Sequence, residues 1–198
     1  MFKTHNLEVL INAGEFMKFE IETERLNLRV LNKHNAEMVL EFYIRNRDIF
    51  ERYEPVIGDD FYSLSHQQKI LDFEYQNIMK LSMMRYWIFQ KDNPCKIIGT
   101  VSFRNIVKPI YESCTVGYKM DRDFVNHGFC TEALEATIPQ LAKELGIHRF
   151  EALILPDNEP SIHMVEKIGF KYEGILRDKI IIRGRRLDHC MYAYLADN

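Results

Sequence analysis

The sequence predicts a mixed α/β fold: a central, mostly antiparallel twisted sheet of about seven strands with one parallel pair, flanked by about four helices. Three observations predict it. Short runs of alternating apolar residues recur along the chain, separated by turn punctuation such as Asn93-Pro94, Lys108-Pro109 and Arg183-Gly184, which favours antiparallel neighbours. Apolar stripes at helical spacing fall between those runs. Over residues 112–155 the order is strand, polar turn, helix, strand, and such a unit closes most readily with its two strands parallel.

The elements follow in order. Leu26, Leu28 and Val30 alternate with polar residues and predict a strand over about 25–31. Ala36, Val39, Leu40, Tyr43 and Ile44 form one stripe of a helix over about 35–50. A second helix is expected to open at Ser65-His66-Gln67-Gln68, which has the form of a capping box, and to present Ile70, Leu71, Ile78 and Leu81. Strands are expected at 86–90, 96–107 and 112–120. Leu134, Ile138, Leu141 and Leu145 then mark a third helix, with Gly146 as its stop. Pro139 lies inside it, where a lost hydrogen bond and a ring clash cost on the order of 3 kcal/mol or a kink; a bend is expected, because the apolar spacing continues. The run 149–155 is an apolar strand expected parallel to 112–120, and 158–168 is a short helix ending at Gly169. Strands at 172–182 and 187–195, joined at Arg183-Gly184, complete the sheet. Residues 18–198 read as a single domain, and 1–17 as an N-terminal extension ahead of the patterned chain.

Composition narrows the function classes. Of 198 residues 46% are hydrophobic, enough for one sizeable core. Lys and Arg number 26 against 29 Asp and Glu, so no basic surplus points to nucleic acid as a direct partner. Cys95, Cys114, Cys130 and Cys190 are widely spaced, with no CxxC pair or His clustering; neither a disulfide framework nor a metal site is expected. No run approaches the roughly 18 apolar residues of a membrane span, so a cytoplasmic protein with no membrane partner is expected.

The turn Asp121-Arg122-Asp123-Phe124-Val125-Asn126-His127-Gly128-Phe129-Cys130-Thr131-Glu132, between strand and helix, is the best clue to function. A helix start exposes about four backbone N–H groups and the positive end of the macrodipole, so an anion placed there gains both hydrogen bonds and favourable field. Gly128 allows close approach of a phosphate chain. Most strand-to-helix turns with one Gly bind nothing, so a second motif is needed.

That motif is Pro156-Asp157-Asn158-Glu159-Pro160-Ser161-Ile162-His163-Met164-Val165-Glu166-Lys167-Ile168-Gly169-Phe170, which resembles the signature of the GCN5-related N-acetyltransferases. Thr23-Glu24-Arg25-Leu26-Asn27-Leu28-Arg29, Glu173-Gly174-Ile175-Leu176-Arg177-Asp178 and Asp188-His189 resemble the ribosomal-protein alanine N-acetyltransferase branch of that family. The resemblance covers residues 23–195 in order. It implies the fold of that family, acetyl-CoA as co-substrate with no metal, and an amine-bearing peptide or small molecule as acceptor, in a monomer or homodimer.

Carried over, the resemblance puts backbone donors for the acetyl-CoA pyrophosphate in Asn126, His127, Gly128, Phe129, Cys130 and Thr131. It puts the strand that pairs with the pantetheine arm at Tyr118, Lys119 and Met120. Gly117 either gives that arm room or relieves crowding within the sheet. Asn158 matches an asparagine that binds the pantetheine arm, and is equally suited to cap a helix. Ser161 is a candidate catalytic hydroxyl supporting the departing thiolate. Val165 stands where other members carry a tyrosine acid. Cys130 is read as a small packing residue, with a thiol activated by the helix start as the alternative. His163 and Lys167 are read as solvated, with an approach to phosphates as the alternative.

The implied chemistry is direct attack of a neutral amine on a thioester. No base stands out. Thr115 occupies a place where the branch often has Glu, Ile180 a place where a second carboxylate is sought, and Glu112, Asp178 and His189 remain candidates. This favours an α-amine, roughly 10–20% neutral at pH 7, over a lysine at about 0.04%. A protein N-terminus is therefore the leading acceptor. A polyamine or aminoglycoside drawn by Glu51, Glu54, Asp59 and Asp60, or a non-catalytic acyl-CoA-binding domain, are the alternatives.

Overall fold

The computed structural model describes residues 8–10, 16–53 and 58–197. Eight strands form the main sheet in the order β3-β4-β5-β6-β7-β8-β10-β9. They are β3 (Glu20–Glu22), β4 (Leu26–Arg29), β5 (Met84–Gln90), β6 (Ile97–Val107), β7 (Ser113–Met120), β8 (Arg149–Ile154), β9 (Lys171–Ile182) and β10 (Arg185–Leu195). Every neighbouring pair is antiparallel except β7 with β8. A separate ribbon joins β1 (Glu8–Leu10) to β2 (Phe16–Lys18). Residues 1–7 and 11–15 of the expected extension lie outside the described residues, while Met17 is buried in the main core.

The sheet therefore has one strand more than expected. β3 is too short to show alternation, and it is held by pairing Glu20 with Arg29 and Glu22 with Asn27 rather than by a pattern of its own. Five α-helices cover the faces: α1 (Ala36–Arg45), α2 (Arg47–Tyr53), α3 (Leu64–Met79), α4 (Phe129–Leu145) and α5 (Glu159–Ile168). β5 is covered on both sides, so Tyr86 and Trp87, adjacent in sequence, are both fully buried. Trp87 packs edge-on against Phe42 of α1 at 5.8 Å, while Tyr86 belongs to the core under α4 and satisfies its hydroxyl by donating to the Lys18 carbonyl.

Two helix expectations need correction. The stretch 35–50 is not one helix but α1 and α2, broken at Asn46. The side chain of this buried residue donates from Nδ2 to the Phe42 carbonyl at 2.9 Å and accepts the Arg122 N–H on Oδ1 at 2.9 Å. A short amide that competes for backbone partners ends a helix more readily than it continues one. The N-cap of α3 is Ser63 and not Ser65: Ser63 Oγ accepts the His66 N–H at 3.3 Å. Of the expected stripe, Leu71 and Ile78 are buried, whereas Leu81 lies beyond the helix at φ 57°.

The expected helix stops and the final hairpin turn are found. α4 runs unbroken through Pro139, whose ring lies on the exposed face together with Glu135, so the carbonyl deprived of its partner opens to water. Gly146 and Gly169 end α4 and α5 in the left-handed region. The Arg183-Gly184 turn has φ 49° and 74°, as a two-residue hairpin of the primed type requires. No helix among the described residues is long and apolar enough to cross a membrane.

Asp121, at the end of β7, is fully buried and ties the sheet to the α1–α2 joint. Arg45 Nε donates to its Oδ2 at 2.6 Å and the Asp123 N–H to its Oδ1 at 3.0 Å. Burial alone would raise its pKa; the Asp123 N–H, Arg45 and Asn46 outweigh it and hold the carboxyl below its usual range. Asp121→Ala should destabilise the fold by about 3 kcal/mol, because Arg45 is left without its buried partner. A carboxyl depressed in the folded state stabilises above its unfolded pKa, near 4, and this contribution is lost as pH falls through the lower folded value. Urea midpoints measured from pH 7 to pH 2.5 should therefore fall less steeply below pH 4 for the variant than for the parent.

Candidate active site

The site is made by two strands that stop pairing. β7 and β8 run parallel in register only from Ser113 opposite Arg149 to Val116 opposite Ala152. Beyond that point they part, leaving residues 117–120 and 153–154 with backbone edges that face a gap. One cavity of about 460 Å³ opens on one side of the gap and one of about 400 Å³ on the other. They share Tyr53, Tyr118, Lys119, Asn158 and Ser161, so the two spaces meet at those residues.

The second cavity is the one the phosphate-loop reading needs. Tyr118, Lys119, Met120, Asn126, Gly128, Phe129, Cys130, Thr131, Asn158 and Ser161 all line it, and of the candidate cofactor contacts only His127 does not. The His127 ring is exposed and stacks on Phe129. Gly128 is the N-cap of α4 at φ 77°, and no side chain among the described residues caps the first turn, so its leading N–H groups are open to an anion. His163 and Lys167 are exposed and line neither cavity. Cys130 is buried, and burial pushes its thiol up to about 12, which supports packing over reactivity.

What holds the turn in place was only partly legible in the sequence. The Glu132 carboxylate accepts three bonds from the residues leading into β4: Thr23 Oγ1 at 2.5 Å, the Arg25 N–H at 2.9 Å and Arg25 Nε at 2.6 Å. Burial would raise the Glu132 pKa, but these donors together lower it. Arg25 also donates to the His127 carbonyl and lies over the Phe129 ring at 4.6 Å. The Thr23-Glu24-Arg25 motif thus works as a clamp on the Gly128 turn, through a contact more than a hundred residues away in sequence.

At the junction, Asn158 Oδ1 accepts the Ser161 N–H at 3.4 Å and so caps α5, while the amide still lines both cavities. Both roles open to it in sequence are compatible. The Tyr118 hydroxyl is buried and has no hydrogen bond of full geometry. Burial raises its pKa, so the phenol stays protonated; the Ser161 side chain beside it acts in the opposite sense without closing a well-formed bond. A buried donor without a partner costs about 1–3 kcal/mol, a cost that a ligand acceptor at this point would remove.

The first cavity is lined by Arg85, Arg104, Lys119 and His189, and by no carboxylate among the described residues. Thr115 and Ile180, the positions where acids were sought, do face it. Of the three candidate bases His189 alone lines it. His189 is buried, with Nδ1 3.1 Å from the Leu187 carbonyl, whereas Glu112 and Asp178 line neither cavity. Gly117 gives room to the protein's own side chains: a Cβ there would meet Ser102 Oγ at 3.0 Å and Arg104 Nη2 at 3.2 Å. Glu51 and Asp59 are held by Arg47 at 2.7 and 2.8 Å, and Glu54 lies outside the described residues. Among the described residues no group of three or more His, Cys, Asp or Glu could hold a metal ion.

Comparison with known proteins identifies the domain. The model of the acetyltransferase (GNAT) domain matches residues 25–171. The chain belongs to this family. It is 31% identical to a probable N-acetyltransferase of Bacillus subtilis, across 88% of the chain and 96% of that protein. It is 28% identical to the ribosomal protein uS5-alanine N-acetyltransferase of Escherichia coli, across 89% and 90%. The crystal structure of the ribosomal-protein-S5-alanine acetyltransferase of Vibrio fischeri superposes with a TM-score of 0.85 at 26% identity, covering 90% of this chain and 97% of that one. The matched residues take in both β7 and β8.

Glu132→Gln should loosen the turn without unfolding the sheet. We expect a loss of about 1–2 kcal/mol, since a charge-assisted acceptor is replaced by a neutral one. Hydrogen exchange should be faster at residues 132–135, the first hydrogen-bonded amides of α4, in this variant, with protection in β5 and β6 unchanged.

Proposed function

We propose that this GNAT domain moves an acetyl group from acetyl-CoA to the α-amine of a protein or peptide N-terminus. The observation that carries the reading is the meeting of two cavities at Tyr118, Asn158 and Ser161, where the sheet parts. One space suits the donor and the other the acceptor. Two of the similar proteins are named for acting on an alanine of a ribosomal protein, which supports an N-terminal acceptor here.

The residues present fit acetyl-CoA. The uncapped start of α4 supplies N–H donors for a pyrophosphate, the free edge at 117–120 supplies peptide-like groups for a pantetheine arm, and Asn158 adds an amide. Bound acetyl-CoA supplies an activated thioester carbonyl. Ser161 and the protonated Tyr118 phenol are placed to donate hydrogen bonds to the sulfur as it gains charge. His189, with Nδ1–H given to the Leu187 carbonyl, keeps a lone pair on Nε2 and takes the amine proton.

The cationic lining favours the same chemistry. An amine placed among Arg85, Arg104 and Lys119 is disfavoured in its protonated form, so its pKa falls and the reactive fraction rises. That offsets the carboxylates missing at Thr115 and Ile180. It also counts against a polyamine or aminoglycoside acceptor, which would bring further positive charge to the same place.

Thiol release from acetyl-CoA, followed with peptides of free and blocked N-terminus, tests the reading. Free peptides should turn over and blocked ones should not. Ser161→Ala should lower kcat about 10- to 100-fold with little change in KM for acetyl-CoA, and His189→Gln should lower it about 100-fold or more. CoA at a hundred times its Kd should stabilise the fold by about 2.7 kcal/mol. Stabilisation by CoA with no turnover on any amine would support a binding module instead.

A further inference from the structure

The acceptor cavity carries a charge pattern that the transfer reaction by itself does not require. Its described lining holds two arginines, one lysine and no carboxylate, in a chain whose net charge is −3. The register explains how they gather. Arg85 pairs with Ser102 and Ser102 with Gly117, while Arg104 pairs with Thr115 and Lys119 with Thr100. Cross-strand partners share a face, and residues two apart along a strand return to it, so all three cations stand on one face within three successive rows.

The three differ in what they already hold. Arg85 is largely buried and donates to Glu74 at 3.0 Å and to the Tyr43 hydroxyl at 3.2 Å. Lys119 lies over the rings of Tyr43 and Phe50 at 5.3 and 5.6 Å. Arg104 has no carboxylate within ion-pair distance among the described residues, and its guanidinium reaches over Gly117, the residue next to Tyr118. Glu151, on the neighbouring strand in the row of Thr115, is taken by Arg149 at 2.6 Å and does not line the cavity. Arg104 is exposed at the cavity wall, and a planar guanidinium there matches a carboxylate with two parallel hydrogen bonds. The absence of a Cβ at position 117 is what lets it lie there.

We infer that the acceptor cavity selects N-termini that carry a carboxylate side chain within their first three residues, and that Arg104 is the residue that reads it. This rests on the N-terminal acceptor proposed above. The guanidinium reaches over Gly117, which precedes Tyr118 at the junction of the two cavities. An extended chain advances about 3.3 Å per residue, so an Asp or Glu at the second or third position reaches it and one further along does not.

The test uses peptides beginning Ala-Asp, Ala-Glu, Ala-Gln and Ala-Lys with a common remainder, plus one with its only acid at the sixth position. Acidic second residues should give at least tenfold higher kcat/KM than the Lys peptide, and the sixth-position acid should give no advantage over Gln. The ratio of acidic to basic peptide should collapse toward one in Arg104→Gln and invert in Arg104→Glu. Retained thermal stabilisation by CoA certifies that each variant is folded. Anisotropy of a fluorescent Ala-Asp peptide on the CoA-saturated protein gives an independent readout: affinity should fall in Arg104→Gln and between 50 and 500 mM salt. Equal turnover of all peptides, or a preference untouched by Arg104→Gln, overturns the inference and leaves the N-terminal reading standing. No turnover of any peptide, with CoA still bound, overturns both.

Discussion

The short parallel pairing of β7 and β8 is the constraint on which the rest depends. A parallel pair needs a crossover, and here α4 provides it, so the helix must begin at the carboxyl end of β7, beside the gap. The pairing also ends early, after residues 116 and 152. Those two facts place an uncapped helix start, a free strand edge and a passage between two cavities within a few residues of one another. A sheet that stayed paired to Met120 would have closed the passage and used the edge for itself.

Holding such a gap open demands that the flanking turn be fixed without its own helix donors, which must stay available. The protein does this from outside. Asp121 anchors the beginning of the turn to Arg45, while Asn46 accepts the Arg122 N–H. Glu132 anchors its far end to Thr23 and Arg25. Both carboxylates are buried enough that solvation loss alone would raise their pKa, and both are overcompensated by donors. The leading N–H groups of α4 take no part in either clamp. The break between α1 and α2 is part of the same design, since the residue that ends α1 is the one that satisfies the turn.

This arrangement explains what the sequence revealed. The parallel unit, the Gly128 and Asn158 motifs and the primed turn at Arg183-Gly184 depend on local chemistry, and each was readable. β3 was not, because three residues carry no periodicity, and Ser65 outweighed Ser63 because Ser65 has Gln68 three residues on, the capping-box spacing, where Ser63 has His66. Arg25 and Arg104 were invisible as site residues for a different reason. The role of Arg25 exists only through Glu132, and the role proposed for Arg104 only because the cross-strand neighbour of Ser102 is a glycine. Pairings over such distances leave no mark on either segment alone. Gly117 was read as room for a ligand or relief of crowding; the space goes to a side chain that itself faces the acceptor.

Cations in place of carboxylates change how the amine is prepared for attack. A carboxylate near the amine raises the amine's pKa by stabilising its ammonium form, then must accept the proton it helped to hold. Guanidinium and ammonium groups do the reverse, shifting the acceptor toward its neutral form before it reaches the thioester. The demand on the base is correspondingly smaller, and a histidine with one nitrogen committed to a backbone carbonyl can meet it. On the proposed reading, the same field that activates an α-amine repels a lysine side chain or a polyamine and attracts an acid, so that activation and selectivity would arise from one set of charges on one face of the sheet.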